Sequence, residues 1–396
     1  MVLALLCVVC TASCGTEGDN TEAKAGNPHA AEWISDAMAE TLDSLARVDE
    51  KGVMYEMKYT ADYYSPVITA AVEQAAAAIE TGCSAFSAYD TNGEFLLCRN
   101  YDYRHKDAEG SYTGLNVVLY TAPEGKLKSI GVCDACWLNT SAYYAGALDD
   151  GKTDISAMLL APYMCVDGMN EAGLTASLLV VDTKDGEYLT NQNTGKERVM
   201  HSQLLRYIID NARNVEEAVK IAGSYDVYST MTDLHIYVSD KSGSSAVLEW
   251  RQYGGDSEQK LYVTYTNAVT NFFVGFDDGQ DAYNDDGSLK ELFSGLNSTF
   301  NHYKYGYGHG YHRFNTIAAS LERYIGSDDN GHGIRNSVME EGQALDILRV
   351  VSQNPGTEKT SFTQYSAIYH LEDLSVSFRL QRDYEKVYTF RLTDAD

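Results

Sequence analysis

The rhythm of hydrophobic and polar positions changes once along this chain, at residue 83. Before it, apolar residues recur at helical spacing over Glu32–Val48 and again through "SPVITAAVEQAAAAIETG", residues 65–82, which predicts two helices. Pro66 falls early in the second, where a helix tolerates it, and Gly82 suits its end. From Cys83 the period becomes two. "CSAFSAYD" and "EFLLCRNYDY" flank Asn92-Gly93, a strong hairpin signal. "GLNVVLYTAP" and "LKSIGVCDACW" continue the strands, and "CVDGMNEAGLTASLLVVDT" reads as strand–turn–strand with its turn over Gly168–Glu171.

Helical spacing returns over residues 200–224, where Asn214 and Glu217 have the positions of a capping box. "DLHIYVSD", "SSAVLEW" and "LYVTYTNAVTNFF" are strands again, and residues 275–312 read as a long loop rich in Asp, Gly and Tyr. "FNTIAASLERYI" and "GQALDILRVVSQ" follow as helices, and "QYSAIYHL", "LSVSFRL" and "KVYTFRL" close the chain as strands. Strands in runs and helices in separate runs predict an α+β fold, with helices covering antiparallel sheets.

Composition narrows the function. The 396 residues carry a formal charge of −27. That excludes a phosphate-binding face for nucleic acid and disfavours electrostatic docking on anionic membranes. The first 14 residues, "MVLALLCVVCTASC", are an apolar stretch ending in small residues and a cysteine. They read as an export signal of lipoprotein type, with Cys14 as the lipidated residue. Residues 15–82 then form a tether and helical propeptide, and residues 83–396 the functional domain.

Outside the signal five cysteines remain: Cys83, Cys98, Cys133, Cys136 and Cys165. An odd number in an exported chain points to a free reactive thiol. Cys133 and Cys136 lack the second pair that a zinc site needs, so a disulfide or two thiols is the reading there, and no metal or cofactor is expected. His302, His309 and His312 sit in "NHYKYGYGHGYHRF", read as a pocket wall, while His235 reads as structural and Asn170 as a turn residue. The aspartates of 277–286 lack calcium-loop spacing.

Cys83 opens a strand and its hairpin partner ends in "RNYD". If the chain is cut between Gly82 and Cys83, one residue supplies a thiol and a free α-amine, whose pKa of about 8 makes it a usable base. Such a site needs a cation to favour the thiolate and a carboxylate to hold the amine. Arg99 and Asp102 come back beside Cys83 on the return strand.

A cysteine at the start of a strand, followed by Arg-Asn-x-Asp, resembles the choloylglycine hydrolase family of N-terminal nucleophile amidases, which includes bile salt hydrolases and penicillin V acylases. "DGMNEAGLTAS", "DLHIYVSDKSGSSAVLEW", "AVTNFF", "YHRFNTIAAS" and "FTQYSAIYHLEDLSVSFRL" resemble further segments of that family in order. The resemblance implies a four-layer αββα sandwich with two stacked antiparallel sheets, and maturation by loss of everything before Cys83. It implies hydrolysis of a small-molecule N-acyl amide, and a homotetramer. It assigns an oxyanion donor to Asn271, a second to the backbone N–H at Val180, and a site-lining, substrate-placing role to Arg313 and Asp102. Val180 stands where bile salt hydrolases have asparagine, and "CSAF" resembles the acylases' start more closely. A different class of function fits the same fold: an exported lipoprotein that binds ligands without turnover and keeps its chain intact from Cys14.

Overall fold

The structure is a computed structural model. It describes residues 33–72, 83–103, 114–138, 144–181, 189–230, 233–251, 258–274, 310–354 and 362–395. Cys14, Gly82, His302, His309 and the loop aspartates lie outside the described residues.

Two large sheets face each other. Among the described residues the first has nine strands, in the spatial order Ala46–Arg47, Met54–Tyr59, Asn116–Thr121, Ser129–Asp134, Cys165–Asn170, Leu174–Val181, Asp233–Asp240, Ser245–Arg251 and Lys260–Tyr265. The second has eight. Ile325–Asp329, Arg335–Met339, Ser84–Asp90, Phe95–Tyr103, Phe362–His370, Ser375–Leu380 and Tyr388–Arg391 lie in that order, and Ala268–Val269 also pairs with Ser84–Asp90. The sheets meet through one apolar layer, to which the first contributes Val118, Val132 and Leu179 and the second Phe95, Leu97 and Tyr369. On the outer face of the first sheet pack the helices Asp36–Asp43, Pro66–Val72, His201–Asn211 and Val215–Ala222. Gly310–Leu321 and Glu341–Val351 cover the outer face of the second. This is the α+β fold that the alternating strands and segregated helices predict, in the four-layer arrangement that the family resemblance implies.

Each sheet departs from pure antiparallel pairing once. Met54–Tyr59 runs parallel to Asn116–Thr121, and Arg335–Met339 runs parallel to Ser84–Asp90. The sequence reading holds neither Met54–Tyr59 nor Arg335–Met339 as strands. Both are short, and their partners are far away in sequence, where no local signal reaches.

The first predicted helix is shorter than its spacing suggests, and residues 73–82 of the second lie outside the described residues. The first helix covers Asp36–Asp43, with the Ser35 hydroxyl accepting from the Met38 N–H at 3.3 Å. It ends at Ser44, whose hydroxyl donates to the Thr41 carbonyl at 2.6 Å. The predicted turn over Gly168–Glu171 lies further on. Gly168 stays in its strand, paired with Gly131 and Ala176, where a Cβ would meet the Ile130 carbonyl oxygen at 2.8 Å. The reversal falls between Asn170 and Gly173, and Gly173 takes a φ of +78°, a left-handed value that glycine adopts without strain. Asn170 fixes it, as a turn residue should. Its Oδ1 accepts from the Ala172 and Leu174 N–H groups, and its Nδ2 donates to the Ile209 and Ala212 carbonyls. The capping box is half formed: Asn214 accepts from the Glu217 N–H at 2.9 Å, while the Glu217 carboxylate takes the N–H of Arg213.

His201, at the first turn of its helix, packs edge-on against Trp250 at 4.9 Å and is buried. Burial, then the charge of nearby His235, holds its pKa down to about 3. Because the folded value lies below the unfolded value of about 6.5, His201 contributes stability above pH 6.5 that is lost as the pH falls toward 3. Urea midpoints measured across this window should fall with acid. In a His201→Gln variant the fall should be shallower by up to about 1.4 kcal/mol per pH unit.

Candidate active site

Strand alternation decides how the site is assembled. In the hairpin register Ser84 pairs with Asn100 and Ala85 with Arg99, so Cys83 begins the edge of the pair. Successive side chains of a strand point to opposite faces. Arg99 and Asp102, three apart, therefore leave on opposite faces of the second sheet. They serve different parts of Cys83.

Arg99 enters the layer between the sheets. Its Nη2 lies 3.6 Å from the Cys83 Sγ and 2.6 Å from the Leu178 carbonyl oxygen, and its Nη1 donates to the Val166 carbonyl at 2.7 Å. Nε stands 3.2 Å from Asp167 Oδ2, with both side chains fully buried. Asp167 is held in turn by the hydroxyls of Tyr365 (2.6 Å) and Tyr369. Burial opposes the charge of Arg99, but Asp167 and the Cys83 thiol more than offset it, so the guanidinium stays a cation. A cation at that distance favours the thiolate.

Asp102 points the other way, toward the covering helices. Its carboxylate accepts from the Thr363 hydroxyl at 2.5 Å, from Gln353 Nε2 at 3.2 Å and from Arg313 Nη1 at 3.3 Å. Arg313 reaches it from the helix Gly310–Leu321 and ties the set together. The same Nη1 donates to the Cys83 carbonyl at 2.8 Å, and Nη2 donates to Asn271 Oδ1. Asn271 follows Ala268–Val269, which pairs with Phe86 and Ala85, and this pairing sets it beside the strand that Cys83 opens. Its Nδ2 donates to the Val180 carbonyl at 2.7 Å. Cys83, Arg99, Asp102, Val180, Asn271 and Arg313 thus form one connected, buried cluster.

A second buried pair braces the Asn271 segment. His235 Nε2 lies 2.8 Å from the Thr270 carbonyl oxygen and Nδ1 3.1 Å from Glu249 Oε1. A carbonyl can only accept, so Nε2 carries a proton. Glu249 Oε1 also accepts the Val274 N–H at 2.8 Å. The turn bearing Asn271 is therefore pinned on both sides, consistent with reading His235 as structural.

The sequence reading missed Asp167, Gln353 and Thr363. Asp167 had a visible signal: it is a carboxylate inside "CVDGMN", a strand that is buried throughout. Thr363 and Gln353 carried none, because their role depends on the register of Phe362–His370 against Phe95–Tyr103. His312 is half-buried in its helix, and its carbonyl accepts from the Thr316 hydroxyl. The other four cysteines are buried free thiols, so Cys133 and Cys136 form no disulfide. Burial pushes the thiols of Cys98, Cys133 and Cys136 up, and that of Cys165 up to about 12. Among the described residues no group of three or more His, Cys, Asp or Glu side chains is placed to hold a metal ion.

Residues 83–269 match the sequence signature of the family described as linear amide C-N hydrolases, choloylglycine hydrolase family. A penicillin V acylase from Pectobacterium atrosepticum is 31% identical over 119 residues, covering 26% of this chain and 30% of that protein's length. Two solved structures align with most of this chain. A conjugated bile acid hydrolase from Clostridium perfringens superposes with a TM-score of 0.48 and 17% identity, over 79% of this chain and 93% of the other. A penicillin V acylase from Agrobacterium tumefaciens gives 0.44 and 16%, over 78% and 86%. The family resemblance stated from the sequence motifs is found independently in this match, whose first residue is Cys83.

Proposed function

We propose that this choloylglycine hydrolase-like chain is an N-terminal cysteine amidohydrolase that cleaves a linear N-acyl amide after the bond between Gly82 and Cys83 is opened. The observation that carries the reading is the Cys83 thiol 3.6 Å from the Arg99 guanidinium, with the Cys83 carbonyl bound by an arginine that also holds Asp102 and Asn271.

In this mechanism the freed α-amine of Cys83 takes the thiol proton as sulfur attacks the acyl carbonyl carbon. The C–S bond forms, and the carbonyl electrons move to oxygen. Asn271 donates to that oxyanion: one of its two Nδ2 hydrogens goes to the Val180 carbonyl, and the other is offered to the substrate. The backbone N–H at Val180 is the second donor. The tetrahedral intermediate collapses as the amine returns its proton to the leaving nitrogen, which releases the amine product. Water then attacks the thioester, with the α-amine again as base, and the acid leaves. Asp102, fixed from three sides, orients the α-amine. Arg313 places the Cys83 backbone and shares the placing of substrate with Asp102. No metal or cofactor enters.

The substrate class is a conjugated bile salt, a phenoxyacetyl penicillin or a fatty N-acyl amide. The valine at 180 and the "CSAF" start weigh against bile salt specificity, and the sequence does not otherwise choose among the three. Export through residues 1–14 with lipid at Cys14, and assembly as a homotetramer, belong to the same proposal. Mass analysis of the mature protein, with these three substrates assayed side by side, tests it. The expected result is a polypeptide beginning Cys-Ser-Ala-Phe and turnover of at least one substrate. An intact chain without hydrolysis would leave the ligand-binding reading in its place.

A further inference from the structure

Residues 33–72 look dispensable in sequence, yet they are built into the fold of the domain that follows. Met54–Tyr59 lies inside the first sheet in a six-residue parallel register, from Met54 opposite Asn116 to Tyr59 opposite Thr121. Val53 and Met54 enter the apolar layer between the two sheets. Met57, Tyr59, Ile68 and Val72 enter the cluster on the other face of the first sheet. The segment therefore contributes to both sides of one sheet.

Its polar contacts are equally specific. The Tyr63 and Tyr64 hydroxyls donate to Asp210 Oδ2 at 2.9 and 2.7 Å, beneath the helix that carries Asp210. Asp210 is fully buried, and its other oxygen is bound by Arg206. The Tyr59 hydroxyl donates to the Leu159 carbonyl at 2.6 Å, and the Tyr163 hydroxyl donates to the Tyr63 carbonyl at 3.1 Å. Tyr55 donates to Asp149 at 3.1 Å, and Arg47 pairs with the same carboxylate. The Gly146 N–H donates to the Gly52 carbonyl at 2.9 Å.

We infer that residues 33–72 stay with the domain as a tightly held, non-covalent subunit after the chain is opened before Cys83, and are not lost. The inference rests on the cut proposed above and changes its consequence. Opening one bond between Gly82 and Cys83 breaks none of these contacts. Departure of the segment would leave Asn116–Thr121, six residues that are all buried, as an open apolar sheet edge. It would also strip both tyrosine donors from Asp210 Oδ2, leaving the carboxylate to Arg206 alone among the described residues, and loss of hydrogen bonds to a buried acceptor is costly. The working protein is then a pair of chains, with Cys83 leading the larger one.

The test separates this inference from the cleavage itself. A protease recognition sequence is inserted between Ala76 and Ala77 of a Cys83→Ala chain, which is then cut with the added protease. Native size exclusion should return both fragments in one peak at a 1:1 ratio, resolved only in denaturant. The amides of residues 116–121 should exchange with solvent as slowly as in the uncut chain. Elution of the leader fragment on its own overturns the inference. In the wild-type protein, an active chain beginning at Cys83 with no leader fragment overturns it while the cleavage stands. A wild-type chain that is active uncut overturns the cleavage, and the engineered cut still decides the retention.

Discussion

A Cys83→Ala chain is expected to remain one uncut polypeptide and to lose amide hydrolysis by at least about 10⁴-fold, the scale seen when a covalent nucleophile is removed. Both losses follow from one sulfur. In the proposed mechanism the thiol attacks the carbonyl of residue 82, the peptide C–N bond breaks as a thioester forms, and water cleaves that thioester. Afterwards, beside its own freed amine, the same sulfur attacks substrate. The variant should keep its fold, because the side chain is small and its carbonyl contact with Arg313 is a backbone contact. Cutting that persists in Cys83→Ala, seen by mass analysis, would assign the processing to an outside protease. Cys83→Ser should be cut slowly and turn over poorly, since a hydroxyl offers no accessible anion at neutral pH.

The second large effect is expected at Arg99, and there catalysis and stability can be told apart. Arg99→Met should abolish turnover, because the thiol loses its neighbouring cation. It should also destabilise the fold by about 3–5 kcal/mol, because Asp167 becomes a fully buried carboxylate without its ion-pair partner. Adding Asp167→Asn removes that orphaned charge. The double variant should recover most of the stability by denaturant titration and none of the activity. Hydrolysis restored in the double variant would show that Arg99 acts by holding the fold and not by favouring the thiolate.

The opposite faces taken by Arg99 and Asp102 explain why sequence spacing carried so much of the site. Their separation along one strand sends one side chain into the layer between the sheets and the other toward the covering helices. The cysteine at the strand start meets the first through its sulfur and the second through an arginine bridge. Cys83, Arg99 and Asp102 are legible because they share one hairpin whose register the Asn92-Gly93 turn fixes locally. Asn271 and Arg313 carry little signal of their own, and family resemblance was needed to single them out. Gln353 and Thr363 escaped because each acts through a partner hundreds of residues away, and Asp167, though visible as a carboxylate within a strand, because only the fold sets it against Arg99.

The region before Cys83 shows the same division more sharply. Helical spacing there is real but partial, and the strand Met54–Tyr59 is invisible until Asn116–Thr121 lies beside it. Alternation, turn residues and the company of one cysteine, all of them local, determined the α+β class, the hairpin and the candidate nucleophile. Tertiary structure decided which carboxylate balances Arg99, which side chains fix Asp102, and that the leader belongs to the sheet. A parallel strand pair or a buried ion pair is set by distant chain segments meeting, and no short window of sequence contains both partners.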